Sequence, residues 1–158
     1  MTAQQYTGEA VSLLSHLIAT PSVSREERRA ADIMEEELTR CGFTPHREAN
    51  NVWAIGPCQR EDRPTLLLNA HIDTVKPVAS YTRNPYEPSL EDGTLYGLGS
   101  NDCGGGLVSL LQVFRELSAS ERCPYNLVYL ASAEEEVSGK DGISRALPLL
   151  PHVDVAIV

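Results

Sequence analysis

The run Thr65-Leu66-Leu67-Leu68-Asn69-Ala70 is almost wholly apolar and stops abruptly at His71-Ile72-Asp73. A strand with one wet face alternates apolar and polar residues, whereas a strand covered on both faces reads as a continuous apolar run. The segment therefore predicts a central strand with helices packed on both sides. Leu127-Val128-Tyr129-Leu130-Ala131 repeats the pattern and is followed by Glu134-Glu135-Glu136. Between the two lies a glycine-rich turn, Gly97-Leu98-Gly99-Ser100-Asn101-Asp102-Cys103-Gly104-Gly105-Gly106.

Other segments fill in the frame. Val11, Leu14, Leu17 and Ile18 recur at helical spacing and predict a helix from about Gly8 to Ala19. Ser24-Arg25-Glu26-Glu27 reads as a capping box that opens a second helix, with Gly42 just past its end. Strands follow at Phe43–Arg47 and Asn51–Ile55, joined by a turn at Ala49-Asn50. Lys76 to Asp92 reads as loop, and Asp92-Gly93 turns it into Thr94–Tyr96. A helix over Gly105–Leu117, a strand at Asn126–Ala131, a short helix near Ile143–Leu147 and a strand at Val153–Val158 complete the chain. Strands alternating with helices predict an α/β fold with a largely parallel sheet and helices on both faces. The 158 residues suffice for one domain with its own core, and no linker, repeat or low-complexity tract divides them.

A formal charge of -9 argues against nucleic acid and anionic membranes as natural partners, because phosphate binding needs clustered Lys and Arg. Cysteines stand at positions 41, 58, 103 and 123 without a Cys-x-x-Cys spacing, so neither a zinc ribbon nor a disulfide framework is expected. Reduced thiols, no basic-then-apolar start and no membrane-length apolar run predict a cytoplasmic protein. A phosphate loop is absent, since Gly139-Lys140 continues into Asp141.

Ligands in such sheets bind beyond the carboxyl ends of the strands, where His71 and Glu134–Glu136 fall. An imidazole and several carboxylates converging there suit a divalent cation such as zinc. On His71-Ile72-Asp73, residues two apart point to one side, so Asp73 can orient His71. Asp102 offers two carboxylate oxygens, enough to bridge two cations. Each motif taken alone has a plain structural account. His71 could be a bonded strand-end histidine, Asp102 or Ser100 a helix cap, and the glutamates a solvated first turn. Three like charges after a buried strand nevertheless need neutralising, and a metal does that. Cys103 packs as a small apolar residue or approaches the metal. His16, His46 and His152 lack carboxylate-rich surroundings and read as helix-face, strand-edge and loop residues.

In this order the motifs resemble the zinc metallopeptidase and deacylase family that includes acetylornithine deacetylase, succinyl-diaminopimelate desuccinylase, carboxypeptidase G, aminoacylase and several dipeptidases. The likeness runs from Thr20-Pro21-Ser22-Val23-Ser24 through His71-Ile72-Asp73, Asp92–Gly97 and Asp102 to Ala133–Gly139. Tyr96–Asp102 and Ala131–Gly142 look most like acetylornithine deacetylases and N-succinylornithine deacylases. The resemblance implies that His71 binds one zinc, Asp102 bridges two, Glu136 binds the second, Glu135 is the general base and Asp73 supports His71. It also implies a cis peptide at Asp102-Cys103, cobalt as a possible substitute for zinc, a small N-acyl amino acid as substrate and a homodimer.

Two departures stand out. The family commonly has lysine where Gly104 stands, although some ornithine deacylases lack it. Val153–Val158 resembles the strand that leads into a Gly-Glu-Pro turn bearing another ligand. Residues 1–158 are therefore expected to be the N-terminal part of a catalytic domain, without the lid and dimerisation domain. The expected activity is removal of an acetyl or succinyl group from an amino acid such as ornithine. The alternatives are a related dipeptidase or desuccinylase, or a non-catalytic fragment with an incomplete metal site; a nucleotide-binding module ranks last.

Overall fold

The computed structural model describes residues 1–158. Its elements are α1 (Ala3–Ile18), α2 (Arg28–Arg40), β1 (Pro45–Glu48), β2 (Asn51–Ile55), β3 (Thr65–His71), β4 (Ser89–Glu91), β5 (Thr94–Tyr96), α3 (Gly106–Ser118), β6 (Asn126–Ser132), α4 (Ile143–Ala146) and β7 (Val155–Ile157). A kinked π-type turn over Ser100–Gly105 leads into α3. Five strands form one sheet in the order β1-β2-β6-β3-β7, and β4 and β5 form a separate hairpin.

Connection length decides strand direction. The two-residue turn Ala49-Asn50 can only join antiparallel strands, so β1 and β2 make a hairpin that adds antiparallel to β6. The long crossover through α3 returns β6 parallel to β3, and β7 adds parallel on the other edge. The sheet is thus mixed, with its parallel part centred on the two apolar runs. Every residue of β3 and β6 is buried, with Thr65 opposite Asn126 and His71 opposite Ser132. This register brings the carboxyl ends of both strands to one rim.

Helices cover both faces. α1, α2 and α3 pack on one face around Met34, Leu38, Leu68, Leu111, Phe114 and Tyr129, all essentially inaccessible. Burying a side chain of this size stabilises by roughly 1.5–3 kcal/mol. The Tyr129 hydroxyl stays satisfied by donating to the Leu107 carbonyl at 3.0 Å. On the other face α4 closes a smaller cluster of Trp53, Leu67, Val128, Leu130 and Ala146. No helix is long and apolar enough to cross a membrane.

Three local expectations need correction. The first helix starts five residues early, at Ala3, because Thr2 and Gln5 form a capping box ahead of the apolar stripe. The capping box at Ser24 and Glu27 does not form: α2 begins at Arg28, and both side chains bond to distant partners instead. The 76–92 stretch is not all loop, since Ser89–Glu91 pairs with Thr94–Tyr96 across Asp92-Gly93, both at positive φ as a tight hairpin turn requires.

Candidate metal centre

His71 ends β3, and Ile72 behind it is buried in the core. Asp73 is 1% exposed and its backbone carbonyl lies 2.9 Å from His71 Nδ1. A carbonyl oxygen only accepts, so Nδ1 carries a hydrogen and Nε2 is the ring nitrogen that points outward. Facing Nε2 are Asp102 Oδ1 at 3.1 Å and Glu135 Oε2 at 3.7 Å. Two acceptors at that separation repel unless a positive charge sits between them. That charge can be a proton on Nε2 or a bound cation.

Asp102 is aimed by the turn that precedes α3. Gly99 enters it at φ +74°, and the peptide between Asp102 and Cys103 is cis, as the resemblance implies. Gly104 is buried in this turn, and a Cβ there would lie 2.5 Å from both the Gly99 carbonyl oxygen and Leu14 Cδ1. A side chain at this position would force the turn and Leu14 on α1 to shift. Asp102 itself is exposed and caps no helix.

The glutamates occupy the tip after β6. Glu134 is buried and left-handed (φ 53°), and Glu135 and Glu136 open a single turn over Glu135–Val137. Asp73 holds that turn: its Oδ1 accepts from the Glu135 amide at 3.0 Å and its Oδ2 from the Glu136 amide at 3.1 Å. Ser24 Oγ donates to the same Oδ2 at 2.7 Å. Sequence pattern does not mark Ser24, Glu27 and Asn51 as residues of the site. Ser24 and Glu27 bear a local helix-start pattern, and nothing in the sequence signals their long-range bonds.

The electrostatics are lopsided. The only basic side chain paired with Asp73, Asp102 or Glu135 is His71, and Glu136 pairs with none. Burial works against charge on His71, but hydrogen bonds to Asp73 and Asp102 outweigh it and raise its pKa to about 9. Burial also opposes the charge of Asp73, yet His71, Ser24 and the two amides hold its carboxyl below the usual range. Glu136 is pushed up, by desolvation first and then by Asp102.

Donor atoms of His71, Asp102 and Cys103 lie within 4.8 Å of one another. Burial raises the Cys103 thiol, and its side chain packs against the core, so it is a poorly prepared ligand. Glu136 stands outside this tight group, lining with Asp102 a cleft of about 490 Å³ that Tyr81, Arg83 and Tyr96 also line. The structure thus gathers His71, Asp73, Asp102 and Glu135 closely and leaves Glu136 on the cleft wall. His16, His46 and His152 are exposed and lie apart from it. An outward-facing imidazole nitrogen among several carboxylates, with that imidazole as their one basic neighbour, is a donor set that fits a divalent cation in place of the Nε2 proton.

The sequence model of peptidase family M20/M25/M40 matches residues 67–156, from β3 through β7. The chain belongs to that family. Succinyl-diaminopimelate desuccinylase from Caulobacter sp. is 30% identical over 149 residues, covering 90% of this chain and 37% of that protein. The enzyme of the same name from Xanthomonas oryzae is 29% identical over 156 residues, covering 94% and 41%. The chain spans about two fifths of the length of these curated relatives. Among solved structures, a dinuclear metal-binding peptidase from Bacillus subtilis matches with TM-score 0.70 at 18% identity, over 98% of this chain and 43% of that one. A metallo-carboxypeptidase from Sulfolobus solfataricus matches with TM-score 0.68 at 23% identity, over 87% and 32%. These likenesses establish the fold.

Proposed function

We propose that the chain is the metal-holding part of a zinc-dependent amide hydrolase that removes an N-acyl group from an amino acid. One observation carries the reading: the outward-facing His71 Nε2 lies 3.1 Å from the Asp102 carboxylate, with Glu135 alongside. His71, Asp102 and Glu136 are the proposed zinc ligands, and Asp102, with two oxygens, bridges a pair of ions. A cation held there would polarise the acyl carbonyl and lower the pKa of a water, so that the water could lose a proton and attack as hydroxide. Glu135, whose side chain is exposed beside His71, takes the water proton and returns it to the departing amine nitrogen as the C–N bond breaks. Asp73 fixes the His71 tautomer through its carbonyl and fixes the Glu135-Glu136 turn through its carboxylate.

The cleft beside Asp102 and Glu136 receives the substrate, a small N-acyl amino acid. The named relatives favour a succinyl group, whereas Tyr96–Asp102 and Ala131–Gly142 look like acetylornithine deacetylases. N-succinyl-diaminopimelate and N-acetylornithine are therefore the two substrates to assay with zinc-loaded protein. Cobalt is expected to replace zinc, and the whole protein to be a cytoplasmic homodimer. Glu135→Gln should retain zinc and lose about 10²–10⁴-fold in turnover. Unchanged turnover in that variant removes Glu135 from the reaction. A second reading, cation binding without catalysis, is favoured by the position of Glu136 outside the tight donor group. Zinc retention with no turnover of either substrate by the parent chain supports it.

A further inference from the structure

Four consecutive backbone amides after β6 are captured by side chains from three other parts of the chain. Ala133 N–H donates to Asn51 Oδ1 at 3.0 Å and Glu134 N–H to Glu27 Oε1 at 3.2 Å. The amides of Glu135 and Glu136 donate to Asp73. The three acceptors sit on β2, just ahead of α2 and just beyond β3, and all are fully or almost fully buried. We infer that Glu27 and Asn51 are positioning residues that, with Asp73, clasp the segment 133–136 and aim Glu135 and Glu136 at the centre. The inference rests on the proposed roles of those two glutamates.

Several features separate this clasp from ordinary packing. Glu27 has no exposed surface and no salt bridge; its carboxyl accepts from the Arg25 amide at 2.6 Å, the Glu134 amide and Asn50 Nδ2 at 3.0 Å. A buried polar side chain is costly unless bonded, and Glu27 bonds chiefly to backbone donors in two loops. Both donors belong to strained positions, Arg25 at φ 76° and the left-handed Glu134. The captured Glu134 in turn accepts the Gly139 amide on its backbone carbonyl at 2.9 Å and the Asp141 amide on its side chain at 3.3 Å, which closes the loop behind the tip. Asn51 ties the same loop from the other side by donating to the Asp141 carbonyl at 2.7 Å. Glu27 thus fixes the residue immediately before the proposed base and ligand, while its own side chain stays buried away from the cleft.

The test compares the 158-residue chain with Glu27→Ala, Glu27→Gln and Asn51→Ala. Zinc affinity is measured by competition with a chromophoric chelator, and exchange of amides 133–136 by NMR at equal folded fraction. Removing an outer-shell partner of a metal ligand typically weakens affinity about 10–100-fold, and that loss is expected for Glu27→Ala. Faster exchange should spread from Glu134 to Glu135 and Glu136. Glu27→Gln keeps an oxygen for the Glu134 amide and should recover most of the affinity, which a purely structural role for the carboxyl would not require. Asn51→Ala serves where Glu27→Ala fails to fold, with the same expectation starting from Ala133. Phe114→Leu, a core change distant from the clasp, should lower the melting temperature and leave zinc affinity unchanged. Parent-like affinity in both alanine variants, or faster exchange confined to the one released amide, overturns the inference. A parent chain that takes up no zinc breaks the metal reading instead; exchange at Glu135 and Glu136 then decides the clasp by itself.

Discussion

The two ends of β3 and β6 are built from the same kinds of groups with opposite results. At the amino end, Asn126 accepts from the Arg60 amide and donates to the Arg60 and Arg63 carbonyls, all at 2.8–2.9 Å. Asp154 accepts the Thr65 amide at 2.8 Å, and Arg63 donates to the Cys123 carbonyl at 2.7 Å. Those donors and acceptors are matched within the chain. At the carboxyl end, Asp73 is equally well bonded, but Asp102 and Glu135 share one imidazole and Glu136 has no basic partner. One end is complete as a piece of structure. The other gathers more carboxylates than its one imidazole can pair, which is what separates a site from a joint in this fold.

Changes at each end should therefore have different signatures. Leu68→Ala, in the middle of the strand both ends share, should cost about 2–5 kcal/mol of stability in urea unfolding. Leu68 is fully buried, and its loss should lower the folded fraction without changing zinc affinity per folded molecule. Asn126→Ala leaves two carbonyls and an amide short of partners at the amino end and should cost about 1–3 kcal/mol, again with zinc affinity intact. Glu136→Gln acts at the other end in the opposite sense. It removes a carboxylate raised by desolvation and by Asp102, so the metal-free chain should gain stability, by no more than about 0.5 kcal/mol. The same variant should bind zinc more weakly than the parent. Loss of stability in metal-free Glu136→Gln would mean the carboxyl end is as internally satisfied as the amino end.

The contrast also explains what could be read before the fold was known. The apolar runs reveal β3 and β6 because burial on both faces leaves a mark on every residue, and their ends locate His71, Asp73 and the glutamates. Asp102 is found through the glycines that let the chain approach β3 so closely. Ser24, Glu27 and Asn51 escape because their partners are 49, 107 and 82 residues away in the chain. Ser24 and Glu27 also match a capping box, and local spacing cannot reveal that tertiary partners outcompete it. α1 starts early for the converse reason: its first turn carries no apolar stripe and is held by the Thr2–Gln5 cap alone. The β4–β5 hairpin is hidden by its brevity, three residues a side.

The measurement that tests a cation site at the carboxyl end most directly is a zinc titration of the parent chain and of Asp102→Ala, followed by melting temperature. The parent should retain zinc through dialysis and be stabilised by it, by about 2.7 kcal/mol at one hundred times the dissociation constant, while Asp102→Ala should retain none and show no shift. Equal stabilisation of both proteins, or none in either, would contradict a cation site built on His71 and Asp102.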